Sequence, residues 1–171
     1  SLDDPDITFD VRAPDNEVVN LGKLLASGGT ASILAGTIRH SGEINADTVS
    51  DDGTGRISLR ASNRISLAEG SLVRASGGKG EDGGDITIDA RNQDKNATID
   101  ALGAVRADGE NGGTVIVRGN NLLVDGIVSA RGGEVGGKIN IRSTEATIAT
   151  VNATLQTYTF EGKGGRIAVD G

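Results

Sequence analysis

Along most of the chain, apolar and polar residues alternate in short runs that stop at glycine. GGDITIDA (residues 83–90) sets Ile86 and Ile88 between polar neighbours. The same pattern returns in GTGRISLRA (53–61), GGTVIVRG (112–119), GGKINIRS (136–143) and GGRIAVDG (164–171), with GGTASILA (28–35) as a looser copy. A period of two, with β-branched residues at the apolar positions, predicts half-buried strands. No window of useful length carries a 3.6-residue apolar period, so essentially no helix is expected.

The first apolar residues of the clear copies are Ile57, Ile86, Val115, Ile139 and Ile167, spaced by about 29, 29, 24 and 28 residues. Self-similarity at such a period signals a solenoid. Each unit holds two further runs. The second reads ISLAEG (65–70), ATIDALG (97–103), LLVDG (122–126) and ATIATV (146–151). The third reads GEINA (42–46), GSLVRA (70–75), GAVRA (103–107) and GIVSA (126–130), while TLQTYTFEG (154–162) replaces it in the last unit. Three short strands cannot bury themselves alone. Stacked coils can, because each strand pairs in parallel with its equivalent about 4.8 Å away. The expected fold is all-β, a parallel β-helix of about six coils of three short strands, roughly 30 Å long.

Inward positions should then form aliphatic columns. One is Ile57, Ile86, Val115, Ile139 and Ile167, beside Leu59, Ile88, Val117, Ile141 and Val169. Others are Ile65, Ile99 and Ile148, and Ile44, Val73, Val105 and Val128. Burying each such side chain stabilises the rod by roughly 1.5–3 kcal/mol. Outward from the first strand, Arg60, Asp89, Arg118, Arg142 and Asp170 should stack as a charged ladder, with Asp89 between Arg60 and Arg118. Exposed pairs of this kind contribute only about 0–1 kcal/mol each.

Composition sharpens this picture. Aromatics make up only 2% of the 171 residues (Phe9, Tyr158 and Phe160), so the core must be built from Ile, Val, Leu and Ala. The 27 glycines come with only 2 prolines, which excludes a Pro/Gly-rich disordered chain. Repeated Gly-Gly is expected to supply positive φ at the sharp turns. With no cysteine, disulfides and thiolate sites are excluded. A net charge of -7 argues against general nucleic-acid affinity. No apolar stretch approaches 18 residues, so no membrane insertion is expected. No signal peptide opens the chain, and Ser1-Leu2-Asp3-Asp4-Pro5 reads as a boundary within a longer polypeptide.

Candidate chemistry is sparse. SGGKGEDGGD contains G-x-G-x-x-G from Gly78 to Gly83, but it precedes a strand rather than opening a helix, so a dinucleotide cradle is excluded. Glu81, Asp82 and Asp85 are the candidate cation turn, though the nonapeptide repeat of stacked calcium sites is missing. Asp51-Asp52-Gly53 resembles acid pairs of polysaccharide-cleaving β-helices, which need two carboxylates facing one groove. His40, the sole histidine, sits at a strand end and reads as structural or surface-placed. Asn96 and Asn152 open N-x-T sequons. Tyr158 and Phe160 form a candidate contact patch, or mark a local bulge. No catalytic residue, cofactor or resident metal is expected.

The segment ITFDVRAPDNEVVNLGKLLASGGTASILAGTIRHSGEINAD (7–47) closely resembles filamentous-haemagglutinin-like exoproteins of two-partner secretion systems. VNLGKLLASGG followed by IRHSG-x-I-x-A is similar to the end of their secretion domain, and the glycine-punctuated remainder to the shaft that follows. Residues 1–50 would be the end of that region and 51–171 shaft repeats, continuous with it. The resemblance implies a right-handed β-helix exported through an outer-membrane barrel transporter to the bacterial cell surface. It further implies a non-enzymatic shaft segment of an adhesin, with a host-cell or matrix receptor as partner. The alternatives are a carbohydrate-binding face on the rod and a polysaccharide lyase or hydrolase.

Overall fold

The computed structural model describes residues 8–13, 18–48 and 54–171. Its strands are β1 (Thr8–Arg12), β2 (Val18–Leu25), β3 (Thr30–Asn45), β4 (Arg56–Leu67), β5 (Leu72–Arg74), β6 (Asp85–Ala90), β7 (Thr98–Ala101) and β8 (Ala104–Arg106). They continue as β9 (Gly109–Asn111), β10 (Thr114–Val124), β11 (Ile127–Ser129), β12 (Gly132–Val135), β13 (Lys138–Ala149), β14 (Thr154–Gln156) and β15 (Arg166–Asp170). No helix occurs among the described residues. Every strand pairing is parallel, as stacking of equivalent strands requires.

The chain is a parallel β-helix with three faces. The first face stacks β1, the start of β3, the start of β4, β6, the start of β10, the start of β13 and β15. The second stacks the start of β2, the middle of β3, the end of β4, β7, and the ends of β10 and β13. The third stacks the ends of β2 and β3 with β5, β8, β11 and β14. The first two runs of a repeat are often one bent strand rather than two short ones, and β3 covers all three faces. The solenoid has about five turns, against the six expected. β3 to β8, β10 and β11 have neighbours on both sides, β13 has a second neighbour only along Lys138–Arg142, and β1 with β2, β14 and β15 lie at the ends.

The aliphatic columns form in the expected register. Ala31, Ile57, Ile86, Val115, Ile139 and Ile167 are aligned, as are Ile33, Leu59, Ile88, Val117, Ile141 and Val169. Ile57, Leu59, Ile86 and Ile88 are fully buried, whereas Ile167 and Val169 are exposed because no winding stacks beyond β15. Ile44, Val73, Val105 and Val128 align on the third face, and Leu155 of β14 continues that column. TLQ therefore keeps the third run instead of replacing it.

One column departs from expectation. Ile65 and Ile99 align with Leu122, which aligns with Thr147, not Ile148. β13 carries one extra residue at its corner, between Ser143 and Ala146, and a one-residue slip turns side chains to the opposite face. Thr147 takes the inward position and donates to Ser143 Oγ at 2.9 Å, and Ile148 is left 60% exposed.

Four of the Gly-Gly pairs also have a different cause from the one expected, whereas Gly28 of the pair leading into β3 does take positive φ. Positive φ occurs at Gly28, Gly70, Gly80 and Lys95, and not at the pairs leading into β6, β10, β13 and β15. A Cβ on Gly84 would lie 2.0 Å from Gly55 O, on Gly113 2.0 Å from Gly84 O, on Gly137 2.1 Å from Gly113 O, and on Gly165 2.1 Å from Gly137 O. Glycine is needed there because each winding's backbone presses on the carbonyl of the one before.

Candidate functional site

At the corner between the first and second faces, Asn92 N donates to Asn120 Oδ1 at 2.9 Å, Asn120 Nδ2 to Thr144 Oγ1 at 2.9 Å, and Asn92 Nδ2 to Ser62 O at 3.0 Å. Asn120 is buried, so this stack satisfies polar groups that would otherwise destabilise the bend. His40, expected at a strand end with a structural or surface placement, lies within β3 and is buried at the next corner, its Nε2 3.1 Å from Leu72 O.

At the corner between the third and first faces, Asp47 Oδ1 accepts from Ser76 N at 2.8 Å, and Arg74 pairs with Asp47 at 2.7 Å. Two windings on from Asp47, Asp108 accepts from Arg131 N and from the Arg131 guanidinium at 2.8 and 2.7 Å, and from Ser129 Oγ at 3.1 Å. Burial of the Asp108 carboxyl opposes ionisation most strongly, but these Arg131 and Ser129 hydrogen bonds and the Arg131 charge together outweigh it. Its pKa lies below the ordinary value. Hydrogen bonds to Asp108 first and Tyr158 second raise that of Arg131.

The predicted cation turn does not assemble. Glu81 Oε2 accepts from Gly78 N at 3.0 Å, Asp82 Oδ1 accepts from Asn111 N and Nδ2 at 3.1 and 2.8 Å, and Asp85 faces Arg56 at 3.8 Å. The three carboxylates are spread over three separate partners, and no cluster able to hold a metal ion occurs among the described residues. Asp51 and Asp52 lie outside the described residues. Asn96 and Asn152 are exposed; Asn96 Oδ1 accepts from Asn92 at 2.6 Å, and Asn152 donates to Asp125 at 3.2 Å. Tyr158 and Phe160 do meet, edge to face at 5.6 Å, on the turn after β14, with Phe160 89% exposed.

Two concave surfaces remain. A groove of about 660 Å³ follows the third face, floored by Leu72, Ala104 and Ile127 and edged by Arg74, Arg106 and Asp108. Arg106 has no ion-pair partner among the described residues, whereas Arg74 and Asp108 are committed as above. Asp125, at its rim, accepts from Thr150 and Asn152. A general acid at neutral pH needs a raised carboxyl pKa, and Asp108 is displaced the other way. The groove's carboxylates serve as structural anions.

The second surface is the outside of the first face. Its middle column is Asp10, Ser32, Ser58, Thr87, Ile116, Asn140 and Ala168. Two flanking columns hold Arg56, Asp85, Lys138 and Arg166 on one side and Arg60, Asp89, Arg118, Arg142 and Asp170 on the other. The charged ladder has the expected register, but Asp89 pairs with Arg91 of its own winding instead of Arg60 or Arg118. Arg142 does pair along the stack, with Asp170 at 3.4 Å. Sequence reasoning found the Arg60-to-Asp170 column but missed the Arg56-to-Arg166 column opposite it, although the repeat alignment contained both.

Comparison of the chain with family models, curated proteins and solved structures finds no match.

Proposed function

We propose that this chain is a non-enzymatic shaft segment of a secreted bacterial surface adhesin, holding a binding or effector region away from the cell. The observation that carries the reading is the unbroken parallel register of the first face from β1 to β15 over a single aliphatic core. Such a column transmits force along its axis through backbone hydrogen bonds, and its length scales with the number of windings at about 4.8 Å each. Export would use an outer-membrane barrel transporter of the two-partner type, through the full-length protein. A cysteine-free, aromatic-poor chain suits passage in an unfolded state followed by winding upon winding of folding. The receptor would be a host-cell or matrix component met elsewhere on the parent protein.

The test is deletion of residues 85–137, from the start of β6 to just before β13, in the full-length protein. The first-face register should re-form, shortening the reach by about 9.6 Å, two windings at 4.8 Å each. Surface display and adhesion should persist. Adhesion lost while display is intact would place binding in these windings and overturn the spacer role.

A second reading is favoured by the third-face groove, where unpaired Arg106 stands above an apolar floor. It would make the rod itself a glycan-binding surface, and selective loss of glycan-array binding in Arg106→Ala would support it. The lyase or hydrolase alternative requires turnover of acidic polysaccharides that depends on Asp51 or Asp52.

A further inference from the structure

The chain carries a net charge of -7, yet the outside of its first face is cationic. Arg12, Arg56, Arg60, Arg118, Lys138, Arg142 and Arg166 project there against Asp10, Asp85, Asp89 and Asp170. All four acids are already paired, with Arg12, Arg56, Arg91 and Arg142 respectively. Arg60, Arg118, Lys138 and Arg166 have no ion-pair partner among the described residues. Three shallow depressions of about 390, 420 and 430 Å³ lie along this face. They run together, because Arg60 lines two of them and Thr114 and Ile116 link a second two. The short middle column is the floor of one trough and the two charged columns are its walls.

The complementary charge lies on the same molecule. The turns between the third and first faces carry Glu81, Asp82, Glu110, Glu134 and Glu161, none with an ion-pair partner among the described residues. Only Lys79 and Lys163 stand unpaired among them. Asp82, Glu134 and Glu161 are exposed. This acidic corner advances by one winding at a time, as the trough does, so both share the spacing of about 4.8 Å.

We propose that the first-face trough is a docking surface for the acidic corner of a second copy of this chain, so that rods associate side by side. An exposed ion pair is weak, so a single contact holds nothing. Two rods with the same axial repeat bring several pairs into register together. The contact is between unlike surfaces, and each bound copy presents its own free trough, so association is open-ended rather than closing at a dimer. The trough offers no aromatic platform for stacked bases, which disfavours single-stranded nucleic acid as its occupant. This goes beyond the spacer role and does not depend on it.

The experiment is sedimentation and light scattering of the 171-residue chain across concentration and salt. At about 0.15 M salt, where the Debye length of ~8 Å screens the overall repulsion but not contact pairs, mass should rise with concentration. It should fall to the monomer at about 1 M, where the Debye length is ~3 Å. Arg118→Glu/Lys138→Glu/Arg166→Glu, and separately Glu110→Lys/Glu134→Lys/Glu161→Lys, should each weaken self-association at least tenfold. Mixing the two variants should restore it. Far-UV circular dichroism verifies that each variant keeps its strands, and the glutamine versions of the trough triple serve if the reversal impairs folding. A chain monomeric under all these conditions would overturn the proposal, as would association indifferent to either triple. Binding of polygalacturonate by the trough without any self-association would also overturn it, by making an acidic polysaccharide the occupant.

Discussion

At the scale of single residues, glycine and aspartate have the most exacting positions. Gly113 sits where a Cβ would meet Gly84 O at 2.0 Å and Gly83 C at 2.6 Å, backbone atoms with no side chain free to yield. Gly113→Ala should therefore cost about 1–3 kcal/mol as overpacking. For a chain of this size Tm falls by roughly 2–4 °C per kcal/mol. Gly78→Ala is the control: its nearest neighbour is the movable Glu81 carboxylate at 3.1 Å, and Tm should barely change. Equal losses in the two would refute the close-approach account. The sequence displayed the Gly-Gly pairs but not their cause. Positive φ is a local property and was the natural expectation, whereas the carbonyl that excludes a Cβ belongs to the previous winding. Asp108 supplies a second residue-scale test. Its folded pKa lies below the ordinary 3.8, so the unfolded state binds the proton more readily. The stability it confers is fully present above pH 3.8 and is lost as pH falls through the lower folded value. Urea midpoints measured from neutral to acid pH should drop less steeply for Asp108→Asn than for the unchanged chain. Parallel slopes would remove Asp108 from the account.

At the scale of the strand, register decides everything. Ile88→Ala in β6 empties a fully buried position and should cost about 2–5 kcal/mol in urea unfolding. Ile148→Ala in β13 removes an exposed side chain and should change stability by less than about 0.5 kcal/mol. The reverse ranking would restore the ladder that the repeats suggested. The period-two pattern was enough to place Ile57, Ile86, Val115 and Ile139 in one column, because each follows its glycine at the same distance. It failed at Ile148, because ATI in 97–99 and ATI in 146–148 look equivalent while an added residue at the corner shifts one against the other. Corner length is invisible to an alternation pattern. The Asn92–Asn120–Thr144 stack was equally hidden, since Asn in a turn reads as an ordinary turn residue until its neighbours in adjacent windings are known.

At the scale of the whole molecule, charge is sorted by face even though the totals conceal it. The overall -7 argued only against general nucleic-acid affinity, and the columns distribute it into a basic first face beside an acidic corner. The candidate cation turn failed for a related reason. Glu81, Asp82 and Asp85 are near in sequence, but the solenoid assigns two of them to partners about one winding away. One feature of the third winding reaches further. Residues 91–97 part β6 from β7, where β10 crosses the same bend with Asn120 alone, yet Ala90 still meets Gly119 and Thr98 still meets Asn121. That bend is thus a port: foreign sequence spliced between Gln93 and Asp94, clear of the Asn92 stack, would be carried on the outside of the rod at a fixed height, like a flag on a numbered rung, while the ladder beneath stayed closed.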